Sequence, residues 1–396
     1  NTPNNKFFGG GLRVFEGTFT TTADYDSTGF SDDPTKAPVL KVFNNGSVTI
    51  GNMTIGDLSP KVRAKMHGGS LTVNGNLKIE ENAKLGANGG VLTVNNGTSY
   101  ILGRVGTVQL DEAKNEEDRK APDSTWARLH VNGGSLALGE KSKTHLSRIW
   151  LTDGAAVSVA EGARLNIERD YAIFDGTFDA PNTDFISNEN GRFRLADKKA
   201  VANLRSLTLA APKEGDESAP SKVFAGTLNV NTLNIDLDAW LGTNGGTINL
   251  NGGDSVIDGR VGLTLINVID KDTGIWTNTQ VRPEKSETVL NVTGGSLTLN
   301  RPTAENTVQQ NNGVIRVANL NVSDNAVFNN NGDVILEDTM TVTDSAVHNK
   351  GTVHGNTLVL NKGADWYDYE PTADQKKNDI HVESHFGTMI FGEGSR

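Results

Sequence analysis

Along most of this chain, apolar and polar residues alternate in short phrases with a period of two. In "SLTV" at 70–73, Leu71 and Val73 point one way and Ser70 and Thr72 the other. The phrase returns repeatedly behind a glycine: "HGGSLTV" (67–73), "NGGVLTV" (88–94), "NGGSLAL" (132–138), "FAGTLNV" (224–230), "NGGTINL" (244–250), "TGGSLTL" (293–299), "NNGVIRV" (311–317) and "NNGDVIL" (330–336). A second phrase follows it, an apolar triplet leading through a polar step to an alanine, as in "LKIEENAKL" from Leu77, "LNVSDNAVF" from Leu320 and "MTVTDSAVH" from Met340. Where no insertion intervenes the steps are even: 21 residues from Gly69 to Gly90, 20 from Gly226 to Gly246, and 19 from Gly313 to Gly332 and again to Gly351. Helical periodicity is confined to short charged stretches such as "DEAKNEEDRK" (111–120).

Self-similarity at about twenty residues is the mark of a solenoid. A strand that buries one face needs partners, and a coil of three short strands finds them by stacking on the next coil about 4.8 Å away through parallel ladders. Inward Leu, Val and Ile then form columns, and corners fall on Gly, Asn and Asp, which tolerate left-handed dihedrals. The pattern predicts an all-β protein, a single right-handed parallel β-helix with three-strand coils of about 20 residues and protruding loops. Barrels and propellers have periods set by hairpins or by units of about forty residues. Charged, Pro-bearing insertions at 20–42, 111–128, 211–222, 270–288 and 364–380 read as loops. Discounting them leaves roughly 13 to 16 coils, a rod of about 60–75 Å. The expected organisation is one domain over 1–396, with an irregular N-terminal cap at 1–40 and a C-terminal loop and end coil at 364–396.

Composition narrows the chemistry. Hydrophobic residues make up 36% and aromatics 6%, enough for a thin repetitive core but not for several globular ones. A net charge of −11 argues against a nucleic-acid partner, which needs a concentrated basic surface. The absence of cysteine removes disulfides, thiolate metal sites and thiol nucleophiles, and suits a chain exported unfolded. No apolar run is long enough for a membrane-spanning helix, and "NTPNNKFFGG" is not a signal peptide, so a mature or trimmed segment is expected.

Catalysis is weighed because polysaccharide hydrolases of this fold use clustered aspartates. "NTD" occurs at 182–184, but Phe185 and Ile186 follow it, and neither G-H-G nor R-I-K occurs. The single "DD", Asp32–Asp33, precedes the repeats. "VRPEKSE" around Arg282 is a faint echo of a lyase base without its second arginine. No serine-nucleophile elbow is present. The seven histidines (67, 130, 145, 348, 354, 381 and 385) never fall at metal-ligand spacing on a helix, so no metal or cofactor is expected and each reads as a surface or corner residue.

Binding chemistry remains. Thr72, Thr93, Ser135, Asn229, Asn249, Thr298 and Arg316 are outward residues of the repeated strands, expected to stack in register as hydroxyls, amides and a guanidinium. Corner asparagines Asn88, Asn132, Asn244 and Asn312 are expected to be structural. Trp126, Trp276, Trp366, Tyr367 and Tyr369 lie in polar insertions and read as loop contacts, whereas Trp150 and Trp240 sit in strand-like phrases and read as packed. Trp126 and Trp276 are expected to flank a groove, with Arg128 and Arg282 supplying positive charge. "KVRAKMH" (61–67) and "GRFRLADKK" (191–199) are basic islands that could seat a sulfated glycosaminoglycan.

The "NGGSLTV" and "NGGTINL" strands, the "DNAV" and "EGARLNI" (161–167) phrases, the lack of cysteine and the Asn/Gly/Thr-rich acidic texture resemble the passenger domains of bacterial autotransporters. The nearest group is the AIDA-type adhesins (antigen 43, AIDA, UpaB). The likeness runs from about residue 40 to 363 and is one of repeat texture, not of a diagnostic motif. It implies a non-enzymatic adhesin and virulence factor exposed at the bacterial cell surface, secreted through an outer-membrane translocator barrel that lies outside this sequence. The implied partners are a fibronectin-like host matrix protein, a glycosaminoglycan, or another copy on a neighbouring cell in aggregates and biofilm. The alternative is a polysaccharide lyase or glycosidase on the same fold.

Overall fold

The computed structural model describes residues 10–30, 32–33, 35–58, 62–106, 127–187, 192–210, 221–265, 267–272, 275–278, 283–301, 313–371, 373 and 382–396. All the secondary-structure elements it describes are β-strands, and the fold is a parallel β-helix. No helix among the described residues is long and apolar enough to cross a membrane. The chain forms two compact units, Asn1–Asn182 and Thr183–Arg396.

In the first unit each strand pairs in parallel with its counterpart one coil on. One face runs from the opening half of Gly11–Thr20 through Val39–Ile50, Ala64–Val73, Lys84–Ala87, Arg104–Gly106 and Lys143–Thr152 to Arg164–Ile173. A second uses the closing halves of the long strands together with Val91–Asn95 and Arg128–Asn132. A third stacks Tyr25–Asp26, Met53–Ile55, Leu77–Ile79, Thr98–Ile101, Ser135–Leu138 and Ala156–Val159. The second unit repeats the plan. Its three faces include Trp240–Thr243, Arg260–Gly262 and Val314–Val317; Thr247–Asn251, Val289–Thr293 and Asn319–Ser323; and Ser296–Leu299, Val327–Asn330 and Ala346–Asn349.

Alternation decides which side is buried. Val48, Leu71, Leu92, Leu129 and Ile149 register one above another in the first unit, each almost wholly buried. Leu228, Ile248, Leu290, Leu320, Met340 and Leu358 do the same in the second. Each such side chain contributes about 1.5–3 kcal/mol of burial, so a column stabilises coils that no single strand could hold.

The two repeated phrases mark corners of the three-sided coil. Gly90 has φ 81°, and a Cβ there would lie 2.2 Å from the Gly69 carbonyl oxygen, so the corner of one coil is pressed against the corner below. At another corner Asp324 and Asn325 take positive φ, and Ala326 then turns inward, its amide bonded to the Ser323 carbonyl at 3.2 Å. Ala83 and Ala364 close the same turn on Glu80 and Asn361. A larger side chain than alanine would enter the core at these points.

Several segments without the repeat phrase still join the ladders. Gly11–Thr20, inside the expected cap, registers with Val39–Ile50. Within the insertions, Tyr25–Asp26 pairs with Met53–Ile55, Ser221–Val223 with Trp240–Thr243, and Asp365–Asp368 with Ala346–Asn349. Asn267–Asp270 and Ile275–Asn278 form a separate antiparallel hairpin.

Candidate functional site

The outward residues expected to share one row are dealt onto several. Thr72 and Thr93 stack with Thr49 and His130 in the first unit, while Ser135 registers with Thr98 and Ala156 on another face. In the second unit, Asn229 and Asn249 belong to an asparagine ladder. The Nδ2 of Asn229 donates to Oδ1 of Asn203 at 2.8 Å, Asn249 to Asn229 at 2.6 Å, Asn291 to Asn249 at 2.7 Å and Asn321 to Asn291 at 2.8 Å. These side chains bind each other. Sequence position gave no hint of this, because the rungs are 20 residues apart in one place and 42 in another.

Thr298 lies on a different row, in register with Asn329, His348 and Tyr367. Here the second unit presents its aromatic surface. The His348 ring stacks on Tyr367 with centroids 5.2 Å apart and planes 19° apart, and its Nδ1 lies 2.8 Å from the Tyr369 hydroxyl. Lys350 Nζ sits 5.0 Å above the Tyr369 ring. Tyr367 and Tyr369 remain 43% and 40% exposed. His348 and Lys350 were not legible as site residues, although a step of one coil from Asn329 or back from Tyr367 reaches His348. Trp366 requires a correction. It is no loop residue but belongs to Asp365–Asp368, where it continues the inward column of Leu297, Phe328 and Val347 and meets Phe386 edge-on.

Arg316 registers with Ile335, and Ile335 with His354. Its Nε donates to Glu337 Oε1 at 2.8 Å and its Nη2 to the Glu284 carbonyl at 3.0 Å. His354 stacks on His385 at 5.0 Å, and Glu383 lies 3.0 Å from His385. In the first unit Arg128 stands between Val91 and Arg148, half-buried, with burial and then the Arg148 guanidinium pushing its pKa down. Trp126, Arg282, Asn312 and His381 lie outside the described residues, as does the side chain of Trp276, whose backbone is in the hairpin.

Trp150 is fully buried, stacked on His130 at 4.6 Å. Trp240 is only half-buried: Leu241 takes the inward position, and the Arg260 guanidinium lies 3.4 Å from the indole centre. The corner amides Asn132 and Asn244 are engaged with Asn95 and the Thr264 amide; Asn88 is buried beside His67.

The titratable groups are mostly committed. Asp184 of the "NTD" stretch accepts from Arg205 Nε at 2.8 Å and Ser206 Oγ at 2.7 Å, and these two partners bring its carboxyl down to about 2. Lys222 is buried; that burial, then Arg194 and Arg192, bring its amine down to about 7, and its Nζ donates to the Leu265 carbonyl at 3.3 Å. Among the described residues no group of three His, Asp or Glu side chains could hold a metal ion. No protein-family model, curated protein or solved structure matches the chain.

Proposed function

We propose that this protein is a bacterial surface adhesin of the autotransporter-passenger kind, holding its partner against outward faces of the β-helix without chemistry on it. The observation that carries the reading is the aromatic face of the second unit, where a half-buried His348 stacks on Tyr367 and hydrogen-bonds Tyr369, and both tyrosines remain open to solvent. Tyrosines held in this way offer amphipathic contact area at little further loss of rotamer entropy. The row continues into Asn329 and Thr298, which add amide and hydroxyl partners along the same line. The partner class that this reading favours is a host matrix protein, which can meet the exposed tyrosines and the polar row together. Asp184 of the "NTD" stretch is engaged within the chain, by Arg205 and Ser206.

The test displays the chain on a non-adherent bacterium and measures attachment to immobilised matrix proteins and to cells displaying a second copy. Tyr367→Ala with Tyr369→Ala should lower attachment about tenfold or more, each truncated anchor removing on the order of 1–2 kcal/mol. Full attachment by the double variant would remove this face from the contact. Reducing ends or unsaturated uronate released from pectic or glycosaminoglycan substrates would replace the adhesin reading with the lyase or glycosidase one.

A further inference from the structure

The first unit carries an outward row of a different kind. Lys84 registers with Arg104, Arg104 with Lys143, and Lys143 with Arg164, so four consecutive coils place a cation at the same position of the same face. Arg63, from the "KVRAKMH" island, directly precedes Ala64, which pairs with Leu85, and so extends the row by one more coil. Arg104, Lys143 and Arg164 are exposed and Lys84 half-buried. The Lys84 amine is pushed down by burial and then by Arg104 and Lys65.

Among the described residues, nearby carboxylates do not neutralise the row. Glu81 is 2.7 Å from Lys141 Nζ, and Glu168 is 2.5 Å from His145 Nε2 and 3.1 Å from Asn166 Nδ2. Glu140 and Glu161 stand at the corners ahead of Lys143 and Arg164 without pairing to them; the charge of Glu140 acts on Lys141. Among the described residues, Lys84, Arg104, Lys143 and Arg164 form no ion pair. A chain with a net charge of −11 thus keeps, among the described residues, a line of like cations without ion-pair partners.

We propose that this row is a binding site for a linear sulfated polysaccharide lying along the stacking direction of the coils. The row is straight, with one cation about every 4.8 Å. A pyranose ring linked through opposite corners advances a chain by about one such step, so successive sulfates and carboxylates can meet successive rungs. Guanidinium at Arg104 and Arg164 offers the two-pronged donor geometry that suits such oxyanions, and Lys84 and Lys143 supply point charges. Duplex nucleic acid fits less well: its charge falls every ~1.7 Å of axis and calls for a broad basic surface, not a single row in an acidic chain. The proposal rests on the adhesin reading for its setting but not on the aromatic face.

The experiment titrates the whole chain with a size-defined heparin oligosaccharide across a salt series, beside its desulfated form and a single-stranded oligonucleotide of equal charge. Arg104→Ser, Lys143→Ser and Arg164→Ser combined should weaken heparin binding by about tenfold or more and reduce the slope of log affinity against log salt by about 2. The desulfated form should bind weakly. Lys271→Ser, Lys285→Ser and Lys362→Ser combined, an equal change of charge in the second unit, should leave binding unaltered, and Arg104→Lys with Arg164→Lys should retain most of it. An unaltered triple variant, equal loss in the second-unit control, or equal affinity for the oligonucleotide would overturn the proposal. Should heparin fail to bind while displayed protein still adheres through Tyr367 and Tyr369, this proposal falls and the adhesin reading stands. Heparin binding through the row with no adherence in any display assay would remove the adhesin reading and leave the site.

Discussion

The asparagine ladder of the second unit and the cationic row of the first are built the same way, yet they end in opposite states. Both place one side chain per coil at a fixed register position on an outward face. A carboxamide carries a donor and an acceptor, so Asn203, Asn229, Asn249, Asn291 and Asn321 satisfy one another rung by rung. Ammonium and guanidinium groups only donate, so stacking Lys84, Arg104, Lys143 and Arg164 leaves every rung short of an acceptor and repelled by its neighbours. Repetition in register multiplies whatever the side chain is. A self-complementary residue becomes part of the scaffold, and a residue that cannot bond its own kind keeps its bonding capacity for something outside.

The comparison holds only if each unit has a dry apolar interior, and the largest expected effect tests that. Leu92 and Val334 stand in buried columns of the first and second units. Leu92→Asp or Val334→Asp would place a lone carboxylate where no partner reaches it, a loss of about 3–5 kcal/mol. Denaturant midpoints should fall for both, with amide exchange rising first in the coils that bracket the substitution. A wild-type midpoint for either would show that its column is not a dry core, and the outward rows could then no longer be compared as additions to one scaffold.

A smaller effect is expected in the ladder. Asn249 donates to Asn229 and accepts from Asn291. Asn249→Ala removes both bonds, and because the ladder is half-buried, water replaces them in part; the expected loss is about 1–2 kcal/mol. Asn249→Asp keeps the acceptor but sets two oxygens against each other toward Asn229. Its carboxyl should titrate above the ordinary range, so the variant is least stable at neutral pH and recovers as pH falls and the protonated group donates again. Equal stability of Asn249→Ala and wild type would mean that the ladder is not structural.

Much of this was legible in the sequence, and the reasons for the gaps are physical. The period-two phrases locate Leu71, Leu92 and Val334 inside, and the even glycine steps give the coil length, because a pressed corner such as Gly90 excludes a side chain. Which outward residues share a row was hidden. A row is set by register, and insertions change the step between successive rungs from 19 or 20 residues to 42. Thr298 and Tyr367 therefore meet on one line, whereas Asn249 and Thr298, assigned together, do not. Trp366 was misplaced because its flanking "DWYDYE" is polar enough to read as a loop, although alternation alone sets it inward beside exposed Tyr367. The cationic row left the faintest trace: Lys84, Arg104, Lys143 and Arg164 are single charges in unrelated contexts until the coils align them.

The smallest expected effect bears most directly on the contrast. If the row is a line of unrelieved like charges, deleting one should stabilise the fold. Lys143 has a cation one coil away on each side, Arg104 and Arg164. Near the surface each such repulsion is worth only a few tenths of a kcal/mol, so Lys143→Asn should gain about 0.2–0.5 kcal/mol at low ionic strength. Screening shortens to ~3 Å at 1 M salt, below the coil spacing, and the gain should vanish there. Asn249→Ala, which breaks neutral hydrogen bonds, should show no comparable salt dependence. Lys143→Glu sharpens the test, since it offers a carboxylate to both arginines: it should stabilise more than Lys143→Asn at low salt and abolish binding of the sulfated oligosaccharide. Destabilisation by Lys143→Asn at low salt would mean that Lys143 is already held by an acceptor. The row would then be satisfied from within like the ladder, and the contrast between the two units would disappear.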